Sequence, residues 1–101
     1  MDKNKIIEAL EVGRIEWRRH ALERMLERDI SRSEVKMTLR NGEIIESYET
    51  DAPFESALFF YIDSKPLHVV ASLDEATKTI YIITAYIPNK RYFYDDLKTR
   101  R

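Results

Sequence analysis

Apolar positions recur at helical spacing through the first half of the chain and at strand spacing through the second. Ile6, Ile7 and Leu10 keep a three-and-four spacing that stops at Gly13, which predicts a first helix. A short extended piece follows around Ile15-Glu16-Trp17. Ala21, Leu22, Met25 and Leu26 then lay one apolar stripe over two helical turns. Ser31-Arg32-Ser33-Glu34 spells a capping box, in which a serine oxygen and a glutamate three residues on satisfy each other's free amides. The helix it opens turns Val35, Thr38 and Leu39 inward. It stops at Asn41-Gly42, where glycine suits a left-handed C-cap.

The period changes after Gly42. Glu43 to Tyr48 predicts a strand, and Asp51-Ala52-Pro53 a loop. Ala57 to Ile62 is an aromatic-rich run of strand composition. After a turn at Asp63-Ser64-Lys65-Pro66, Leu67, Val69, Ala71 and Leu73 alternate with His68, Val70 and Ser72. A second turn, Asp74 to Lys78, leads into Thr79 to Ile87, where β-branched and aromatic residues dominate. Connections this short join antiparallel neighbours, since a parallel crossover needs a dozen residues or more. The predicted fold is α+β: two or three N-terminal helices packed on one face of a four-stranded antiparallel sheet. No repeat, linker or low-complexity stretch divides the chain, so residues 1–101 are expected to form one domain.

Composition narrows the chemistry. With 44% apolar residues the 101-residue chain has enough for one core, despite its high charge content. The absence of cysteine excludes disulfides, thiolate catalysis and cysteine zinc sites, and two histidines argue against a histidine metal centre. No metal or cofactor is expected. No apolar run approaches the ~20 residues of a membrane span, and Met1-Asp2-Lys3-Asn4-Lys5 does not open a leader peptide. A cytoplasmic location, with no membrane partner, is the expectation. The net charge of −1 is segregated: residues 1–41 carry +2, residues 42–89 carry −6 and residues 90–101 carry +3. Basic ends flanking an acidic middle can hold a polyanion on one face, or can be no more than a solvated helix and a basic tail.

His20, Arg24 and Arg28 recur every four residues, so on a helix they form a row beside the buried stripe. An imidazole with two guanidiniums suits a phosphate, because histidine exchanges protons near neutrality and arginine pairs two oxygens at once. The competing reading is a ladder of surface ion pairs with Glu23 and Glu27. His68 opens a strand face with Val70 and Ser72, either as a hydrogen-bonded structural residue or as a proton carrier. Thr84 and Tyr86 share one side of the last strand, where they contact a phosphate, stack on a base or cap the core. Lys90, Arg91, Lys98, Arg100 and Arg101 are candidate RNA-binding cations on an end expected to be mobile. Tyr92-Phe93-Tyr94 is apolar enough to dock on the domain or on a partner. No nucleotide-binding loop, Ser-His-Asp set or metalloprotease helix is present.

Four segments occur in a fixed order: H-A-L-E-R-M-L-E-R-D-I-S (His20 to Ser31), N-G-E-I-I-E-S-Y (Asn41 to Tyr48), P-L-H-V-V (Pro66 to Val70) and I-T-A-Y-I-P (Ile83 to Pro88). Together they resemble a small prokaryotic domain family of unknown function with the pattern H-A-x-x-R-M-x-x-R, G-E-I-I-x-x-Y, P-L-H-V-V, T-A-Y-x-P. That family is similar to the RelE, MqsR and BrnT toxins of type II toxin–antitoxin pairs. The resemblance spans about residues 14 to 101, with Phe93 standing where relatives commonly have tryptophan. It implies a RelE/barnase-like toxin fold and a metal-independent endoribonuclease that cuts messenger RNA. The implied partner is a cognate antitoxin of zinc-finger or helix-turn-helix type. The polar motif positions carried over are His20, Arg24, Arg28, His68, Thr84 and Tyr86.

On this reading His20 or His68 transfers the proton, Arg24 and Arg28 bind phosphate, and Thr84 and Tyr86 position the substrate. The alternative is a catalytically silent module that grips RNA or a protein with the same face. The acidic net charge leans towards it.

Overall fold

Asp2 accepts a hydrogen bond from the amide of Asn4 and starts α1 (Lys3–Val12), satisfying one free amide of the first turn. In the computed structural model, which describes residues 1–101, α1 ends at Gly13 with φ +81°. That left-handed cap returns the Gly13 N–H to the Ala9 carbonyl. The chain continues through β1 (Arg14–Trp17), α2 (Arg19–Glu27) and α3 (Arg32–Asn41). The Ser31–Glu34 capping box is closed in both directions, and Val35, Thr38 and Leu39 are the buried residues of α3. Gly42 departs from the expected left-handed cap, having extended backbone with φ −79° and ψ 175°. Glycine stands there because a Cβ would lie 2.5 Å from the carbonyl oxygens of both Phe60 and Thr38.

β2 (Glu43–Tyr48), β3 (Ser56–Ile62), β4 (Pro66–Asp74) and β5 (Thr79–Tyr86) form the predicted antiparallel meander. The four-stranded expectation is corrected by β1, which pairs with β5 in parallel and makes a five-stranded mixed sheet in the order β1-β5-β4-β3-β2. Everything from α2 to β4 serves as the crossover, so the short-connection argument does not reach this pair.

The helices cover one sheet face. Ile6, Met25, Val35 and Leu39 meet Phe59, Val69, Ile80 and Ile82 in the core. In α2 the buried stripe is narrower than predicted: Ala21 and Met25 are buried, whereas Leu26 is 84% exposed. At about 100° per residue Leu26 sits well round the helix from Met25, beyond the reach of the sheet. β4 turns Leu67, Val69, Ala71 and Leu73 towards the helices, leaving His68, Val70 and Ser72 on the opposite face.

β5 reaches that opposite face through a bulge. Ser72 pairs with Tyr81, Val70 with Thr84 and His68 with Tyr86, so Ile83 is the extra residue. Simple alternation would send Tyr81 and Tyr86 to opposite faces; one inserted residue puts Tyr81, Thr84 and Tyr86 on the same face.

Beyond β5 the chain returns as a strap over one end of this face. Phe93 bridges to Arg100, the Tyr94 N–H donates to Thr99 O at 2.8 Å, and the Arg101 N–H donates to Tyr92 O at 3.0 Å. The Asp96 carboxylate accepts from the amides of Thr99 and Lys98 and from the Thr99 hydroxyl, which holds its pKa down to about 2. The expected mobile tail is therefore corrected: it is folded, anchored by the burial of Phe93 and by ion pairs from Lys98 to Glu43 (2.6 Å) and Arg100 to Glu46 (2.8 Å). No helix is long and apolar enough to cross a membrane.

Candidate functional site: a tyrosine–histidine pair beside two arginines

His68 is fully buried between aromatic rings. The centroids of Phe93, Tyr86 and Phe60 lie 4.7, 5.3 and 5.4 Å from its own, all at steep angles. Its Nε2 is 2.7 Å from the Leu97 carbonyl oxygen. A carbonyl only accepts, so Nε2 carries the hydrogen and Nδ1 keeps its lone pair. The Tyr86 hydroxyl, 3.3 Å from Nδ1, is then the donor to it. Burial lowers the His68 pKa below its usual value, partly offset by the Leu97 hydrogen bond. The neutral ring is thus the resident form. Burial also raises the Tyr86 phenol, against the pull of the Arg100 guanidinium, so it keeps its proton near neutrality.

Tyr86 opens on its outer side into a pocket of about 480 Å³ lined by Arg28, Ile87, Asn89, Tyr92, Phe93 and Arg100. Arg28 follows the last turn of α2 and is steered by a hydrogen bond from Nη1 to Ala85 O at 2.9 Å. Arg100 reaches the pocket from the strap, with Nε on both oxygens of Glu46 at 3.1 and 2.8 Å. Tyr48, two residues along β2, donates to Glu46. Two guanidiniums, Arg100's already held by Glu46, thus line the pocket beside a phenol that is hydrogen-bonded to a neutral imidazole. The chemistry of these groups suits phosphate oxygens and proton relay.

The predicted row of His20, Arg24 and Arg28 is not brought together in the structure. The His20 side chain is 96% exposed and lies 3.7 Å from Glu23, while Arg24 pairs with Glu27 at 3.1 Å. A spacing of four advances about 40° per step round a helix, so by Arg28 the row has turned some 80° and risen about 12 Å. Only Arg28 reaches the site, and the surface ladder describes the other two.

His68 and Tyr86 come together, and Thr84 lies one register pair further along the same face, outside the pocket lining. Among the predicted RNA-binding cations, Lys98 pairs with Glu43, Arg100 with Glu46, and Arg101 Nε donates to the carbonyls of Lys90 and Phe93. Lys90 and Arg91 are exposed and make no ion pair. Sequence reasoning missed Glu46, Tyr48 and Asn89, and read Tyr92 only as part of an apolar docking segment. Glu46 and Tyr48 fall two residues apart on a strand, a same-face spacing that was available as a signal.

The molecule is an α+β protein in which the Tyr86 phenol, paired with His68, lines a pocket with Arg28 from the helix layer and Arg100 from the strap. Residues 17–87 match the model of a family described as domain of unknown function (DUF4258), and the chain belongs to that family. The match includes Arg28, His68 and Tyr86, while the strap with Phe93 and Arg100 lies beyond it. No curated protein and no solved structure matches the chain.

Proposed function

We propose that the protein is a metal-independent endoribonuclease of the toxin type, acting on messenger RNA and neutralised by a cognate antitoxin. The observation that carries this reading is the hydrogen-bonded Tyr86–His68 pair facing a pocket flanked by Arg28 and Arg100. The ordered motifs resemble a domain family that is itself similar to RelE-like toxins, which supports the reading, and the buried histidine shifts the roles expected from sequence. Attack of a ribose 2′-oxygen on the adjacent phosphorus sends the 2′-proton to Tyr86 Oη as the phenol proton passes to His68 Nδ1. The phosphorus–O5′ bond breaks, and the leaving oxygen takes a proton from water. The hydroxide so formed takes the proton back from His68 through the Tyr86 hydroxyl, which restores both groups. The products are a 2′,3′-cyclic phosphate and a 5′-hydroxyl. Arg28 and Arg100 stabilise the charge that grows on the phosphorane.

The test is incubation of the purified chain with RNA in excess chelator, followed by analysis of the ends. Cyclic phosphate ends, lost in Tyr86→Phe and His68→Gln, support the reading. Cleavage that requires a divalent metal rejects it. For the antitoxin, β1 and β2 are the edge strands of the sheet, the positions at which an extended segment adds in β-augmentation. Arrested growth on induction, relieved by the product of an adjacent gene, tests that partnership.

A second reading, a silent phosphate- or RNA-binding module, is favoured by one specific arrangement. Both nitrogens of His68 are engaged, and Arg100 is already paired with Glu46. It predicts RNA binding with no cleavage, insensitive to Tyr86→Phe.

A further inference from the structure

The outer face of the sheet carries a second concavity at the other end of β5. The rings of Phe54 and Tyr81 stack there with centroids 5.6 Å apart and planes within 9°, and the Arg18 guanidinium lies 5.5 Å over the Tyr81 ring. With Asp51, Ser72 and Ile83 they line a hollow of about 270 Å³. Resting on the RNA reading above, we propose that this hollow is a nucleobase subsite for the strand whose phosphate sits at Arg28 and Tyr86.

Three observations lead there. The Ile83 bulge is what puts Tyr81 on the same face as Thr84 and Tyr86, so one surface runs from hollow to pocket. Five residues of strand separate the two tyrosines, about 16 Å at 3.3 Å per residue, a distance that a short extended oligonucleotide covers. The two ends also differ in chemistry. The Tyr86 pocket has two guanidiniums and suits phosphate, whereas the hollow is lined by the Asp51 carboxylate as well as by Arg18, which disfavours a second phosphate. A flat aromatic stack with an arginine over it is instead the surface on which a base of any sequence lies. Thr84, between the two ends, offers a hydroxyl to the connecting ribose or phosphate.

The experiment measures binding of 2′-O-methyl oligoadenylates, one to five nucleotides long, to the full chain. The 2′-O-methyl group blocks the attacking oxygen, so binding is read without cleavage. The expected result is a step in affinity of about tenfold or more once the oligomer is long enough to span both ends. Phe54→Ala removes the step and leaves mononucleotide affinity unchanged, Arg18→Gln reduces it, and Phe54→Tyr retains it as a control for folding. Arg28→Ala weakens every length equally. A step of the same size in Phe54→Ala, or smooth length dependence in the unmodified chain, overturns the subsite while leaving the RNA reading standing. Failure of the unmodified chain to bind any length overturns both.

Discussion

Tyr86 and His68 are register partners across β5 and β4, and the phenol oxygen of one lies 3.3 Å from Nδ1 of the other. The Leu97 carbonyl on the far side of the ring fixes which nitrogen holds the hydrogen. The strap thus determines the state in which the sheet presents its histidine. An unmade partner for that buried ring would cost about 1–3 kcal/mol, and every buried side-chain polar atom in the molecule is in fact hydrogen-bonded.

The lowered pKa of His68 makes stability pH-dependent in a defined window. An unfolded histidine titrates near 6.5, so below that pH the unfolded chain binds a proton that the folded chain resists. The contribution is fully present above about pH 6.5 and declines as pH falls through it towards the folded value. Urea midpoints at pH 7.5 and 5.5 are expected to drop for the unmodified chain and to stay level for His68→Gln. Asp96 acts in a separate window: its stabilisation is present above the usual carboxylate value and is lost as pH falls towards about 2.

Arg28 and Arg24 separate the site from the surface ladder. Arg28→Ala is expected to lower RNA cleavage by on the order of 10², the scale of a lost preorganised electrostatic contact. It also gives up the hydrogen bond to Ala85 O, worth about 1 kcal/mol. Arg24→Ala removes only an exposed pair with Glu27 and is expected to leave cleavage unchanged, with a stability effect of roughly 0–1 kcal/mol. Parallel cleavage assays and thermal melts on the two variants read both quantities. Equal activity losses would return the row to a single functional unit.

Removing Lys98 to Arg101 is expected to lower the melting temperature by about 5 °C or more. The deletion takes away the Arg100–Glu46 and Lys98–Glu43 pairs, the Arg100 bridge to Phe93 and the anchor of Tyr94. A melt unchanged from that of the full chain would show that the strap is not part of the folded unit.

Gly42→Ala is expected to destabilise the fold by about 1–3 kcal/mol, the usual cost of forcing an extra methyl into a packed site. Both blocking atoms are backbone oxygens, which no rotamer change can move aside. Gly13→Ala meets open space and only the strain of a positive φ, so a smaller loss of about 1 kcal/mol follows. Denaturant titration of the two variants gives the comparison.

Local signals served the fold well. The Ser31–Glu34 box, the inward Val35-Thr38-Leu39 and the alternation of β4 depend on near neighbours, and each has its expected place. The extended piece at Ile15-Glu16-Trp17 is legible, but its place in the sheet is not, because four residues carry no period and the partner strand lies at the other end of the chain. The site was legible in part. His68 and Tyr86 could be named, but their pairing depends on a register that a bulge shifts. Arg28 was grouped with Arg24 and His20 because a spacing of four looks like alignment until the helical drift is counted. The Lys98–Arg101 stretch reads as a solvated tail because its acidic partners, Glu43 and Glu46, are remote in sequence.

A ribosome makes a chain from its N-terminus, so the strap is synthesised after every element it closes upon. All the strands can be paired while Phe93, Leu97 and Arg100 are still to emerge, and in that interval His68 has neither its carbonyl acceptor nor its aromatic cover. The pocket is therefore completed only after the sheet. A nascent or prematurely terminated product would carry the paired strands without Arg100 or the Leu97 carbonyl that sets the His68 tautomer, and on the endoribonuclease reading proposed above it is expected to be inactive.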